Sequence, residues 1–145
     1  MPEVPKVLAI DIGSVRVGVA ISDGLGLLAH PLLTLNWQGK KKLSEDLKEI
    51  IHTNNVKVLV VGVPYTMKGT ESIQTKNVFE IIDFLQKNLD ITIEKIDERL
   101  TTKLAENMLK SVNRKTSKSR DIIDQISAIN ILQTYLDKTQ NLRRA

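Results

Sequence analysis

The sequence predicts an α/β fold: a mixed, five-stranded sheet with helices on both faces, in the order β-β-β-α-β-α-β-α-α. Three observations lead there. The chain opens with apolar runs of strand length that lack helical spacing. Further on, such runs alternate with segments whose apolar residues recur at i, i+3 or i+4. The connections are short, with no internal repeat and no low-complexity stretch.

Val7 to Gly13 is apolar enough for a strand buried on both faces, and Arg16 to Ser22 reads as its antiparallel neighbour across the tight Gly13-Ser-Val link. Leu27 to Leu35 reads as a third strand. Leu43, Leu47, Ile50 and Ile51 fall at i, i+4, i+7 and i+8, an amphipathic helix. Val56 to Val63 is a buried strand stopped by Pro64. Val78, Ile81, Ile82, Leu85 and Leu89 mark a second helix, and Ile91 to Ile96 a fifth strand. A third helix is expected from about Thr101, with Leu104, Ala105, Met108 and Leu109 on one face. Ser111 to Arg120 reads as a polar, basic loop. A final helix, apolar nearly all round, is expected from Asp121 to Asp137. The first strand should be central, because the later parallel strands must pair beside it.

The 145 residues make one domain's worth of chain, with residues 1–138 expected as the domain and 139–145 as a polar tail that frays. The hydrophobic fraction of 41% supports a real core, and the charged fraction of 26% argues against disorder. A net charge of +4 is compatible with a polyanionic partner. There is no cysteine, which excludes disulfides, thiolate metal sites and cysteine nucleophiles. His30 and His52 are too few and too far apart for a histidine metal motif, so a metal would need oxygen ligands: Mg²⁺, Mn²⁺ or Ca²⁺. Aromatics make up only 3%, which argues against a fold that reads single strands by stacking bases on aromatic platforms. No signal peptide and no membrane-spanning run is visible, so no membrane association and a cytoplasmic location are expected.

Asp11 lies at the carboxyl end of the first strand between Ile10 and Ile12, where an uncompensated carboxylate is costly. Asp97-Glu98-Arg99 follows the last strand and should emerge at the same sheet edge. As an alternative to a functional role, this pair could serve only the N-terminus of a helix capped by Thr101. Asp124 falls in the first turn expected for the final helix, where it could form a capping box with Asp121 or face a polar site. Three carboxylates meeting at one sheet edge can hold one or two Mg²⁺ ions, which activate water in phosphodiester hydrolysis. Arg16, Arg99, Arg114, Lys115, Lys118 and Arg120 are cations suited to nucleic-acid phosphates.

Leu8-Ala-Ile-Asp-Ile-Gly-Ser-Val-Arg-Val-Gly-Val-Ala-Ile-Ser-Asp23 resembles the opening signature of the YqgF/RuvX family. Val61-Gly-Val-Pro-Tyr-Thr-Met-Lys-Gly-Thr70, Asp97-Glu-Arg-Leu-Thr-Thr102 and Asp124-Gln-Ile-Ser-Ala-Ile-Asn-Ile-Leu-Gln133 resemble its second, third and fourth motifs, in order. The resemblance implies an RNase H-like fold related to the RuvC-type Holliday junction resolvases. It implies a nuclease dependent on Mg²⁺ or Mn²⁺, acting in 5′-end processing of precursor 16S ribosomal RNA in ribosome biogenesis, or on branched DNA. Its implied acids are Asp11, Glu98 and Asp124. The second motif carries no acid before Glu71, and Asp97, Glu98 and Glu71 all stay open as the second carboxylate. Two other readings compete. One is a non-catalytic module that binds structured RNA during ribosome assembly. The other is an ATP-binding protein with an Asp-x-Gly phosphate loop, which the chain is too short to close with a second lobe.

Overall fold

In the computed structural model, residues 4–66, 68–100 and 117–144 are described. The strands are β1 (Lys6–Ile12), β2 (Arg16–Ser22), β3 (Ala29–Asn36), β4 (Val56–Val63) and β5 (Thr92–Asp97). The helices are α1 (Lys40–Asn54), α2 (Ile73–Asn88) and α3 (Ser117–Arg144), and a single 3-10 turn covers Glu98–Leu100. The strands form one sheet in the order β3-β2-β1-β4-β5. β1 pairs antiparallel with β2 and parallel with β4, and β5 pairs parallel with β4. The central place expected for the first strand is the one observed.

Alternation along β1 divides the core. Leu8, Ile10 and Ile12 pack with Leu43 and Leu47 of α1 and with Val78, Ile82 and Leu85 of α2. Val7 and Ala9 point the other way and pack with Ala128, Ile131, Leu132 and Leu136 of α3. α2 is held at its start by a reciprocal cap. The Ser72 hydroxyl accepts from the Thr75 amide at 3.1 Å, and the Thr75 hydroxyl accepts from the Ser72 amide at 3.2 Å. Thr75 also donates to the carbonyl of Pro64 at 2.5 Å, which ties α2 to the end of β4.

Several bounds differ from the sequence reading. β3 begins at Ala29 rather than Leu27, because Asp23 closes a turn over the intervening residues: its carboxylate accepts from the Leu27 amide at 2.9 Å. The final helix is longer at both ends than the span 121–137. It includes Ser117 to Arg120, read from sequence as the end of a loop, so Lys118 and Arg120 are helical. It also includes residues 139–144, read as a fraying tail. Within that span Gln140 donates to the carbonyl of Gly26 at 3.1 Å, and earlier in the helix Gln133 accepts from the Ala29 amide at 2.9 Å. The helix expected from Thr101, and Arg114 and Lys115 with it, lie outside the described residues.

Candidate active site at the carboxyl edge of the sheet

Asp11 is the last residue of β1 to face α3, in line with Val7 and Ala9. Its partner in register on β2 is Gly18. A Cβ on Gly18 would run into the backbone carbonyl of Asp124, so the missing side chain is what lets α3 lie directly on β2. That approach sets Asp124 beside Asp11. Because α3 begins at Ser117, Asp124 sits in the body of the helix and not in its first turn. Its Oδ2 accepts from Nε of Arg16 at 2.7 Å.

Glu98 starts from the strand beyond β4, yet its side chain is hydrogen-bonded to Asp11. The gap is crossed over a second glycine. A Cβ on Gly62 of β4 would stand 2.8 Å from Oε1 of Glu98 and would also collide with Ile131. Gly18 and Gly62 both lie in the family-like motifs, and the sequence reading assigned them no role. An interior strand glycine is the available signal for such a close approach.

Asp97 turns away from Asp11. Its carboxylate takes the Arg99 side chain through Nε at 3.0 Å and Nη2 at 2.6 Å, and the Arg99 amide at 2.9 Å. This clamp spans the Glu98 peptide, and the guanidinium lies 5.6 Å over the Tyr65 ring. Arg99, expected on phosphate, is thus engaged by Asp97, as Arg16 is by Asp124. Glu71 is exposed just ahead of the Ser72 cap. Of the three candidates for a second carboxylate, Glu98 is the one bonded to Asp11.

The electrostatics follow from this packing. Burial pushes the Asp11 carboxyl up; the Glu98 hydrogen bond works against that rise and the Asp124 charge adds to it. Glu98 is pushed up to about 9 by burial, by its hydrogen bond to Asp11 and by the negative charges of Asp11 and Asp97. At neutral pH Glu98 therefore keeps its proton and donates it in a hydrogen bond to the Asp11 carboxylate. The Arg99 fork holds Asp97 below its ordinary range against a smaller effect of burial.

Folded Glu98 binds a proton that the unfolded chain releases near its ordinary value of 4.5. Its contribution to stability is complete below that pH and is lost as pH rises toward about 9. The metal-free protein should therefore melt at progressively lower temperature from about pH 5 to about pH 9. In Glu98→Gln that decline should be shallower, as thermal denaturation in chelator across that range will record.

Among the described residues no three acidic or histidine side chains converge on one point. A pair of half-buried carboxylates in contact with each other is nonetheless a donor set suited to a hard cation, with Asp124 alongside.

A five-stranded sheet of this order, with carboxylates gathered at the carboxyl edge of its parallel strands, defines an RNase H-like domain. Solved structures agree on the fold. Thermus thermophilus RuvC in complex with a Holliday junction substrate matches with a TM-score of 0.57 at 11% identity, over 94% of this chain and 96% of that one. The Fowlpox virus resolvase in complex with Holliday junction DNA matches with 0.56 at 10% identity, over 92% and 98%. The family model described as RuvX, Holliday junction resolvase, matches residues 5–138, and the chain belongs to that family. A relative from Fusobacterium nucleatum, named as a candidate pre-16S rRNA nuclease, is 40% identical over 134 residues, 91% of this chain and 96% of its own length. One of the same name from Gloeothece citriformis is 40% identical over 143 residues, 99% and 95% of the two chains. Among the described residues no helix is long and apolar enough to cross a membrane.

Proposed function

We propose that the chain is a divalent-metal-dependent nuclease that hydrolyses phosphodiester bonds, with the 5′ end of precursor 16S ribosomal RNA as its substrate. The observation that carries this reading is the meeting of the Asp11 and Glu98 side chains at the sheet edge, with Asp124 brought beside them by Gly18. Family membership and the names of relatives 40% identical over most of the chain support both the reaction and the RNA substrate.

Asp11, Glu98 and Asp124 would hold the cation, Mg²⁺ or Mn²⁺. When bound, it supplies Lewis-acid stabilisation and an activated water. Gly18 and Gly62 let the three acids approach across strands. The Asp97–Arg99 clamp fixes the Glu98 peptide, so that its side chain crosses to Asp11 and not outward. Arg16 holds Asp124 in place. Loading the site requires the Glu98 proton to leave. Mn²⁺ affinity, measured without substrate, should therefore rise about tenfold per pH unit below about pH 9.

The deciding experiment runs precursor 16S ribosomal RNA and a four-way DNA junction side by side in Mg²⁺ or in chelator. Metal-dependent cleavage of the RNA supports the reading, and cleavage confined to the junction moves the substrate to branched DNA. Binding of either without cleavage, in Mg²⁺ and Mn²⁺, leaves a non-catalytic module. Glu98→Gln should lower cleavage by at least about 100-fold, while Asp97→Asn, which only loosens the clamp, should cost about tenfold. Arg114, Lys115, Lys118 and Arg120 supply backbone contacts. Their joint replacement by alanine should make the slope of log affinity against log salt shallower by up to about four units.

A further inference from the structure

A cleft of about 790 Å³ lies on the face of the sheet opposite the acids. It opens at Ile12 and Gly13, the residues directly after Asp11, and runs between the start of α1 and the start of α2. Trp37 and Ile73 form its apolar walls, and Gln74 and Asn77 add exposed amides. Ile73 is 81% exposed, so its side chain is open to a ligand in the cleft. The backbone amide of Trp37 donates to the Val15 carbonyl at 2.8 Å, which ties the main chain at Trp37 to the β1–β2 turn.

We propose that this cleft takes a nucleobase of the strand whose backbone passes the acids. Its ligand class rests on the nuclease reading above, but its residues are different ones. The other aromatic rings are engaged elsewhere. Tyr65 and Phe79 pack edge to face, Phe84 lies under Lys40, and Tyr135 of α3 packs half-buried against the core beside a smaller cavity near Val4 and Gly26. Trp37, half-buried against the sheet core, is the aromatic that lines this cleft. The charged residues of the lining are Lys40 and Glu80, so the cleft has no net charge and suits a neutral base better than a phosphate. An indole face with amides around it matches a flat ring that carries donors and acceptors on its edge. The site is also continuous with the acidic edge. Asp11 and Ile12 are neighbours on one strand end and point to opposite faces, so a strand crossing that edge meets one and then the other.

Trp37 is the protein's sole tryptophan, so its emission reports directly on the cleft. The test titrates the full chain in chelator with a short single-stranded RNA and with an abasic strand of the same length. The base-bearing strand should quench Trp37 emission to saturation and bind about tenfold more tightly than the abasic strand. In Trp37→Leu, with affinity read by anisotropy of a labelled strand, the two strands should bind within about twofold of each other. Gln74→Ala and Asn77→Ala, at exposed helix positions where folding is not at stake, should narrow the preference as well. Unchanged emission at saturating RNA, or equal affinity of the wild-type chain for both strands, overturns the proposal. So does an emission change that follows protein concentration alone, which marks a self-association face. These titrations contain no metal, so failure of cleavage would sink the nuclease reading and leave this result standing.

Discussion

Asp11→Asn is expected to reduce metal-dependent cleavage by about 1,000-fold or more, the largest single loss of activity. Removing this carboxylate removes the group that Glu98 bonds and that feels the Asp124 charge. A loss of that size corresponds to about 4 kcal/mol of barrier, within the several kcal/mol that a positioned cation contributes to such a reaction. Asparagine is nearly isosteric and can still accept the Glu98 hydrogen bond, so the fold should persist. Stability in chelator should rise, because a charge held up by burial and by Asp124 is gone. The gain should grow as pH rises and the wild-type carboxylate ionises. Single-turnover cleavage, with thermal melts on the same samples, checks both parts. Wild-type turnover in the variant would make Asp11 structural and remove the centre of the proposed site.

The acids were legible because each breaks a local rule. Asp11 interrupts an apolar central strand, and Asp124 interrupts an apolar helix face, so each needed a polar counterpart. The sheet order was legible because three strands in a meander precede the strand–helix alternation. What the chain did not disclose depends on contacts between distant residues. Glu98 and Asp11 sit on strands separated by β4, about 10 Å apart at the backbone. Only the crossing over Gly62 brings their carboxyl groups together. Arg16 and Arg99 read as phosphate ligands because their cationic heads are visible in sequence and their carboxylate partners are not. Arg16 finds Asp124 from 108 residues away. The start of α3 was misplaced because Lys118 and Arg120 look like loop residues until the helix register that carries Asp124 onto β2 is known.

Gly18→Ala is expected to have the largest effect on stability of any single methyl addition outside the acids. The new Cβ would overlap the backbone carbonyl of Asp124, and backbone in the middle of a helix cannot step aside as a side chain can. α3 must lift from β2, and the layer it buries with Ala20, Ile126, Ala128, Ile131 and Leu132 loosens with it. Overpacking of this kind costs about 1–3 kcal/mol, and an obstacle made of backbone puts Gly18 at about 3. For a chain of this size that is a fall in melting temperature of about 10 °C. Cleavage should drop by about 100-fold as well, because Asp124 is carried away from Asp11. Gly62→Ala should separate the two effects. Its obstacles are the Ile131 side chain and Glu98 Oε1, so the melting temperature should fall less while activity falls comparably. Gly24→Ala is the control: a Cβ there meets nothing within 4 Å, and both readouts should stay near wild type. If Gly18→Ala melts with the control and cleaves normally, α3 is not held at the contact that places Asp124, and the geometry assigned to the site is wrong.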